Sequence, residues 1–141
     1  MSMESIFGIA GSALNAQLIR LNLTASNIAN AGSTATNVAD VYKSKKPVFQ
    51  TILDATKNEM AGQNKGGVKI EKIVDDQTPG TRLYEPSHPQ ADKDGYLYKT
   101  NVNEIAEMVE MMAAARSYQN NVEVINTARE LMTRTIDSIK N

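Results

Sequence analysis

A mainly α fold is predicted, with long N- and C-terminal helices packed as an antiparallel coiled coil and a small β-rich or irregular segment between them. Three observations carry it. Apolar residues recur at helical spacing near each end, all four prolines fall between those two stretches, and six of the eight glycines lie there with the prolines. Proline removes a backbone donor and glycine costs about 1 kcal/mol in a helix interior. That punctuation divides the chain into an N-terminal helix over 1–31, a loop-and-strand middle over 32–100 and a long C-terminal helix over 101–141.

The first periodic stretch runs from Glu4 to about Ala31, with Phe7, Ala10, Leu14, Leu18, Leu21, Ala25 and Ile28 on one stripe. From Phe7 to Ile28 the steps average 3.5 residues, the spacing of a helix that packs along another helix. Ser2 or Ser5 is placed to cap it, and Glu4 favours the positive end of the helix dipole. Gly8 and Gly11 weaken the first turns, while Gly32 stands where a C-terminal cap belongs. Ser33, Thr34, Thr36 and Asn37 are expected to continue as loop.

In the middle, β-prone pieces appear at Val48–Leu53, Val68–Val74, Leu83–Tyr84 and Tyr96–Tyr98. Val68 and Ile70 share a face but Ile73 falls on the other, which predicts a bulge or a slip. Asp54 to Gly67 reads as a polar loop, with Gly66-Gly67 as the turn into the next strand.

The second periodic stretch, about Asn103 to Lys140, contains no Gly or Pro. Ile105, Met108, Met112, Ala115, Tyr118, Val122, Ile125, Ala128, Met132, Ile136 and Ile139 form a stripe that averages 3.4 residues per step. At a rise of 1.5 Å per residue such a helix extends roughly 57 Å, more than a small globule is wide. It must project or find partners. Val109, Val124 and Leu131 widen the apolar face, so more than one neighbouring helix is expected. A stripe of about ten residues at 1.5–3 kcal/mol each drives association with copies or partners, and the architecture points to a polymer.

Composition removes most other classes of function. A chain of 141 residues and 15.4 kDa holds one small core, and its formal charge of −1 is unlike that of a basic nucleic-acid binder or a polybasic membrane anchor. Cysteine is absent and His88 is the single histidine, which excludes disulfides, thiolate catalysis and sites built on several imidazoles. No apolar run reaches 18 residues, so no membrane insertion is expected. Asn15, Gln17, Arg20 and Asn22 interrupt the N-terminal stretch, and no basic segment precedes Ile6, so a cleaved signal peptide is not expected.

Short motifs give way to structural readings. Asp92, Asp94 and Gly95 lack the remaining ligands of a calcium loop and read as a polar turn. His88 with Ser87 and Asp92 lacks a nucleophile elbow and is flanked by Pro86 and Pro89, so no catalytic residue is assigned. Gly66-Gly67 lacks the Gly-Lys-Ser/Thr ending of a phosphate loop. No cofactor, metal or nucleic acid is expected.

The candidate functional residues are therefore a subunit interface. On the first helix these are Phe7, Leu14, Leu21, Asn27, Ile28 and Asn30, and on the second Met108, Met112, Tyr118, Val122, Ile125 and Met132. The methionines suit irregular neighbours. Asn27 and Asn30 are expected to bond to groups of a neighbouring helix and fix register rather than supply affinity.

Two separated sets of strings resemble a known family. Ile9-Ala10-Gly11-Ser12-Ala13-Leu14-Asn15-Ala16-Gln17, followed by Ala25-Ser26-Asn27-Ile28-Ala29-Asn30-Ala31, resembles the bacterial flagellar axial proteins, the second string being like the rod-protein signature. His88 to Tyr96, Asn101-Val102-Asn103, Glu107-Met108-Val109 and Ala114 to Val122 are similar to proximal-rod members of that family. Gly8 stands where relatives often have Asp, and Ala35 to Val41 lacks their Gly-Pro-rich turn. The resemblance implies a subunit of the rod, the drive shaft that joins the rotor (MS) ring to the hook across the periplasm. It implies as partners copies of the chain, other rod proteins, the MS ring with a rod-base adaptor, and the type III export apparatus, which exports such chains without a cleaved signal. The competing class is a soluble helical adaptor or export-associated protein that binds one partner through its long C-terminal helix.

Overall fold

The proline-free termini become the two helices of a computed structural model, which describes residues 3–53 and 66–140. In chain order the elements are α1 (Met3–Ala29), β1 (Thr34–Ala35), β2 (Lys45–Leu53), β3 (Gly66–Asp75), β4 (Thr81–Tyr84), β5 (Tyr96–Lys99) and α2 (Glu104–Lys140). The Ser2 cap and residues 54–65 of the expected polar loop lie outside the described residues.

α1 stops differently from the expectation placed on Gly32. Gly95 is the positive-φ glycine of the described residues, so Gly32 is not a left-handed cap. Instead the chain tightens through successive short turns, from Ala31 N–H to the Ile28 carbonyl at 3.1 Å and from Ser33 N–H to the Asn30 carbonyl at 3.0 Å. α2 begins on a side-chain cap, with the Asn103 Oδ1 accepting from the Ala106 N–H at 3.1 Å. Glu104 and Glu107 then place negative charge in its first turn.

A three-stranded antiparallel sheet, ordered β1-β5-β4, ties the end of α1 to the start of α2. Thr34 and Ala35, expected as loop, pair with Lys99 and Tyr98. Two glycines make this sheet possible. At Gly80 a Cβ would lie 2.0 Å from the Lys99 carbonyl oxygen, and Gly95 takes φ +80°. Asp92 builds the turn before β5, its Oδ1 accepting from the N–H groups of Asp94 at 2.9 Å and Tyr96 at 2.8 Å.

β2 and β3 form a separate antiparallel hairpin whose register shifts between Val48 and Phe49. Ile70 sits opposite Phe49 and Lys72 opposite Val48, leaving Glu71 as the extra residue, and Ile73 comes opposite Pro47. The imperfect alternation in the sequence is that bulge, which returns Ile73 to the face of Ile70. Gly66 and Gly67 lie in β3 itself and not in a turn before it. A Cβ on Gly67 would come 3.1 Å from the Ser12 Oγ, and that hydroxyl accepts the Val68 N–H at 3.2 Å, so the bare backbone lets the hairpin lie on α1.

α1 and α2 pack against each other along a seam of small residues. Ala10, Ala16, Ala114 and Ala128 are buried, Ala114 completely. The stripe residues Phe7, Leu14, Leu21 and Ile28 are only half-buried beside that seam. Leu97 centres the small sheet at 1% exposure.

Candidate functional site

The alanine seam has a direct consequence for the large apolar side chains. When backbones approach through Ala, bulky residues cannot enter the contact and must flank it or face away. On α2 the outward set includes Ile105 at 76%, Met112 at 64%, Val109 at 55% and Leu131 at 54% exposure. α2 has 37 residues against 27 in α1, and every described side chain from Arg129 to Ile139 is exposed. Leu131, Met132, Ile136 and Ile139 thus stand on a projecting end of α2. Isolated apolar residues on a surface are ordinary, but two exposed apolar clusters on one helix, Ile105 to Met112 and Val124 to Ile139, are candidate interaction surfaces.

The predicted interface residues divide into groups. Met108, Met112 and Met132 are exposed and available to neighbours. Phe7, Leu14, Leu21, Ile28, Tyr118, Val122 and Ile125 are half-buried at the margins of the helix pair. Leu18 on α1 and Ile105, Val109, Val124, Leu131, Ile136 and Ile139 on α2 are also strongly exposed, though not among the predicted interface residues. Their signal lies in the breadth of the apolar stripe, but the stripe does not say which side of it a partner helix takes.

Asn27 is engaged within the single chain. It is 1% exposed, and its amide is used within its own chain. The Oδ1 accepts from Lys45 N–H at 2.9 Å and from the Tyr42 hydroxyl at 2.9 Å, while the Nδ2 donates to the Lys45 carbonyl at 3.0 Å and the Ser44 Oγ at 3.2 Å. An amide so saturated has nothing left for a neighbouring subunit. Asn30 donates one amide hydrogen to the Ser26 carbonyl of its own helix at 2.8 Å. The burial of Asn27 could not be read from helical spacing, because its partners come from a loop 15–18 residues away.

Charged side chains stand among these apolar residues on α2. An Arg20–Glu110 ion pair crosses between the helices, and Arg134 pairs with Glu130 at 2.6 Å on the projecting end of α2. Where β3 leaves the hairpin, Lys46 Nζ meets Asp76 Oδ2 at 2.5 Å. That hydrogen bond, with two more from Thr78, holds the Asp76 carboxyl well below the usual carboxylate range. The same bond raises the Lys46 ammonium above its ordinary value. Among the described residues no group of three or more His, Cys, Asp or Glu side chains is placed to hold a metal ion. No helix among them is long and apolar enough to cross a membrane.

Comparison with known proteins falls along the same division of the chain. The family model described as "Flagella basal body rod protein" matches residues 7–35, covering most of α1 and β1. "Flagellar basal body rod FlgEFG protein C-terminal" matches residues 93–138, from the turn before β5 to nearly the end of α2. The chain is 46% identical over 136 residues to the flagellar basal-body rod protein FlgC of Salmonella typhimurium, spanning 96% of this chain and 97% of the relative. It is 45% identical to FlgC of Escherichia coli O157:H7 over the same shares. With FlgC of Agrobacterium fabrum it shares 40% identity over 133 residues, 94% of this chain and 91% of the relative.

Proposed function

We propose, as the chain belongs to the FlgC family of flagellar basal-body rod proteins, that α1 and α2 form an antiparallel coiled coil whose outward apolar face polymerises into the proximal rod. The protein is a structural subunit of the flagellar basal-body rod and not an enzyme. The observation that carries the assembly mechanism is the pair of exposed apolar clusters on α2, Ile105 to Met112 and Val124 to Ile139. An antiparallel course is supported by the pairing of β1 after α1 with β5 before α2, and by the Arg20–Glu110 contact. With the two helices joined at that end, the longer α2 runs past the start of α1.

A drive shaft must transmit twist without shearing between subunits. Two features suit such a shaft. A closely packed helix pair transmits strain because small residues leave little free volume, and several apolar side chains per subunit are available for neighbours to bury. If each outward residue loses about half its exposed area, a contribution of about 1 kcal/mol apiece follows from the transfer scale. Several together give a contact that exceeds thermal energy many times over. The contacts proposed are with copies of the chain and other rod proteins, and at the rod base with the MS ring and its adaptor. Delivery is by the type III export apparatus, without a cleaved signal, to the part of the basal body that spans the periplasm.

Complementation of a strain lacking the chain tests the mechanism. Met112→Asp changes a side chain 64% exposed in the single chain, so folding and export persist while rods fail. Motile cells with complete rods would overturn the assignment of these clusters to assembly.

A further inference from the structure

The buried junction around Asn27 has no part in the exposed apolar clusters, yet it joins α1, β2 and α2 to the segments just beyond β3 and β5. The two bonds to Lys45 engage the N–H and C=O of one residue, at 2.9 and 3.0 Å, so the amide stands in for a neighbouring strand at the first residue of β2. Ser44, only 3% exposed, then touches both helices. Its hydroxyl accepts from Asn27 on α1 at 3.2 Å and donates to Glu107 Oε1 on α2 at 3.0 Å. Its carbonyl accepts from the Asp76 N–H at 2.8 Å, just beyond the end of β3. Its N–H donates to Asn101 Oδ1 at 2.8 Å, and Asn101 Nδ2 donates in turn to the carbonyls of Asp76 and Thr78 at 3.0 and 2.9 Å. Both ends of the hairpin are thus held in one hydrogen-bond network with both helices. Beyond that network the hairpin lies on α1 through the Val68 N–H bond to the Ser12 Oγ, while Phe49, Ile52, Ile73 and Val74 are all exposed by a third or more.

We propose that Asn27 is a positioning residue: by holding Ser44 where it reaches Glu107, it makes the direction of the β2–β3 hairpin depend on the pairing of α1 with α2. A chain whose helices are apart cannot close the bridge through Ser44, so its hairpin keeps only its α1 contacts and is less closely fixed. A chain whose helices have paired presents the hairpin to neighbouring subunits at one angle. The use of this coupling in a rod rests on the assembly reading above, whereas the coupling itself is a property of one chain.

The full chain contains no cysteine, so introduced pairs can be spin-labelled uniquely and read by pulsed electron spin resonance. Exposed Glu71 on the hairpin and Glu123 on α2 report the hairpin angle, and exposed Asn22 on α1 with Glu123 reports helix pairing. Both distance distributions are expected to be narrow. In Asn27→Ala the Glu71–Glu123 distribution should broaden at least twofold while the Asn22–Glu123 distribution stays unchanged. Asn27→Asp, equal in shape but without donors, should behave as Ala does. A hairpin distribution that stays narrow in Asn27→Ala overturns the proposal, and so does equal broadening of both pairs, which marks a merely structural residue. If the helices are unpaired in the free chain, labels at Glu71 and Asn22 read the hairpin against α1; the coupling requires that distribution to be broad, and a narrow one would also overturn it. A chain that passes every one of these measurements yet never enters basal bodies counts against the rod-subunit reading and leaves the positioning role standing.

Discussion

Ala114→Leu tests the small-residue seam at its tightest point. Ala114 is completely buried, and the other seam alanines at 10 and 16 are exposed by only 4% and 2%. Three added carbon atoms would gain about 2 kcal/mol of transfer free energy if they could be buried without disturbance. They cannot be, because close-packed helices accommodate extra volume only by moving apart or by forcing off-rotamer side chains, at a typical net cost of 1–3 kcal/mol. We therefore expect a loss of about 2 kcal/mol, equivalent to roughly a 30-fold shift in the folding equilibrium. Urea unfolding of the full chain, followed by far-ultraviolet circular dichroism, reads this as a lower midpoint at unchanged slope. Met112→Leu, on the outward face, serves as the control and should stay within about 0.5 kcal/mol. If Ala114→Leu leaves the midpoint unchanged or raises it, the helices do not meet through alanines and the reason for the outward-facing large residues fails.

Removing residues 129–141 should leave the helix pair and the small sheet folded, by circular dichroism, while abolishing rod assembly in complementation, since every described side chain from 129 to 139 is exposed in the single chain. Gly80→Ala should destabilise the sheet by 2 kcal/mol or more on the order-of-magnitude scale for severe overpacking, because its Cβ would meet the Lys99 carbonyl at 2.0 Å; urea unfolding checks it. The Arg20–Glu110 pair is partly exposed, so a double-mutant cycle should give no more than about 1 kcal/mol, falling with added salt. The carboxyl of Asp76 is lowered on folding, chiefly by Lys46, so its contribution is present above the ordinary carboxylate value and is lost as pH falls through the lower native one. The Lys46 ammonium is raised, so its contribution is present below its ordinary value and is lost only as pH rises beyond it. Acid titration of unfolding should therefore show a step that Asp76→Asn removes, and a profile unchanged by that substitution would contradict the pairing.

The two helices were legible because their signal is local: a stripe with no proline gives the element, and α1 and α2 fall within one or two residues of the expected bounds. The bulge in the hairpin was legible for a similar reason, since a break in two-residue alternation has few other causes. What escaped was set by contacts between distant segments. Thr34 and Ala35 carry no strand signal of their own and become β1 because β5 offers a free edge. Gly66 and Gly67 look like a turn, yet their lack of side chains serves the approach of β3 to α1. The alanines stand in and beside the stripes among larger residues, yet they are the ones buried, while many of the larger ones are left exposed. Asn27 shows the same limit, because a helix position tells which way a side chain points and not which loop will cover it.

The most direct measurement is a density map of isolated basal bodies at side-chain resolution. This chain is expected in the shaft as a paired α1 and α2, with Met112, Leu131 and Met132 dry in contacts between subunits and Asn27 bonded within its own chain. Finding no copy of the chain in the shaft, or finding those three side chains facing solvent while other surfaces make the contacts, would contradict it.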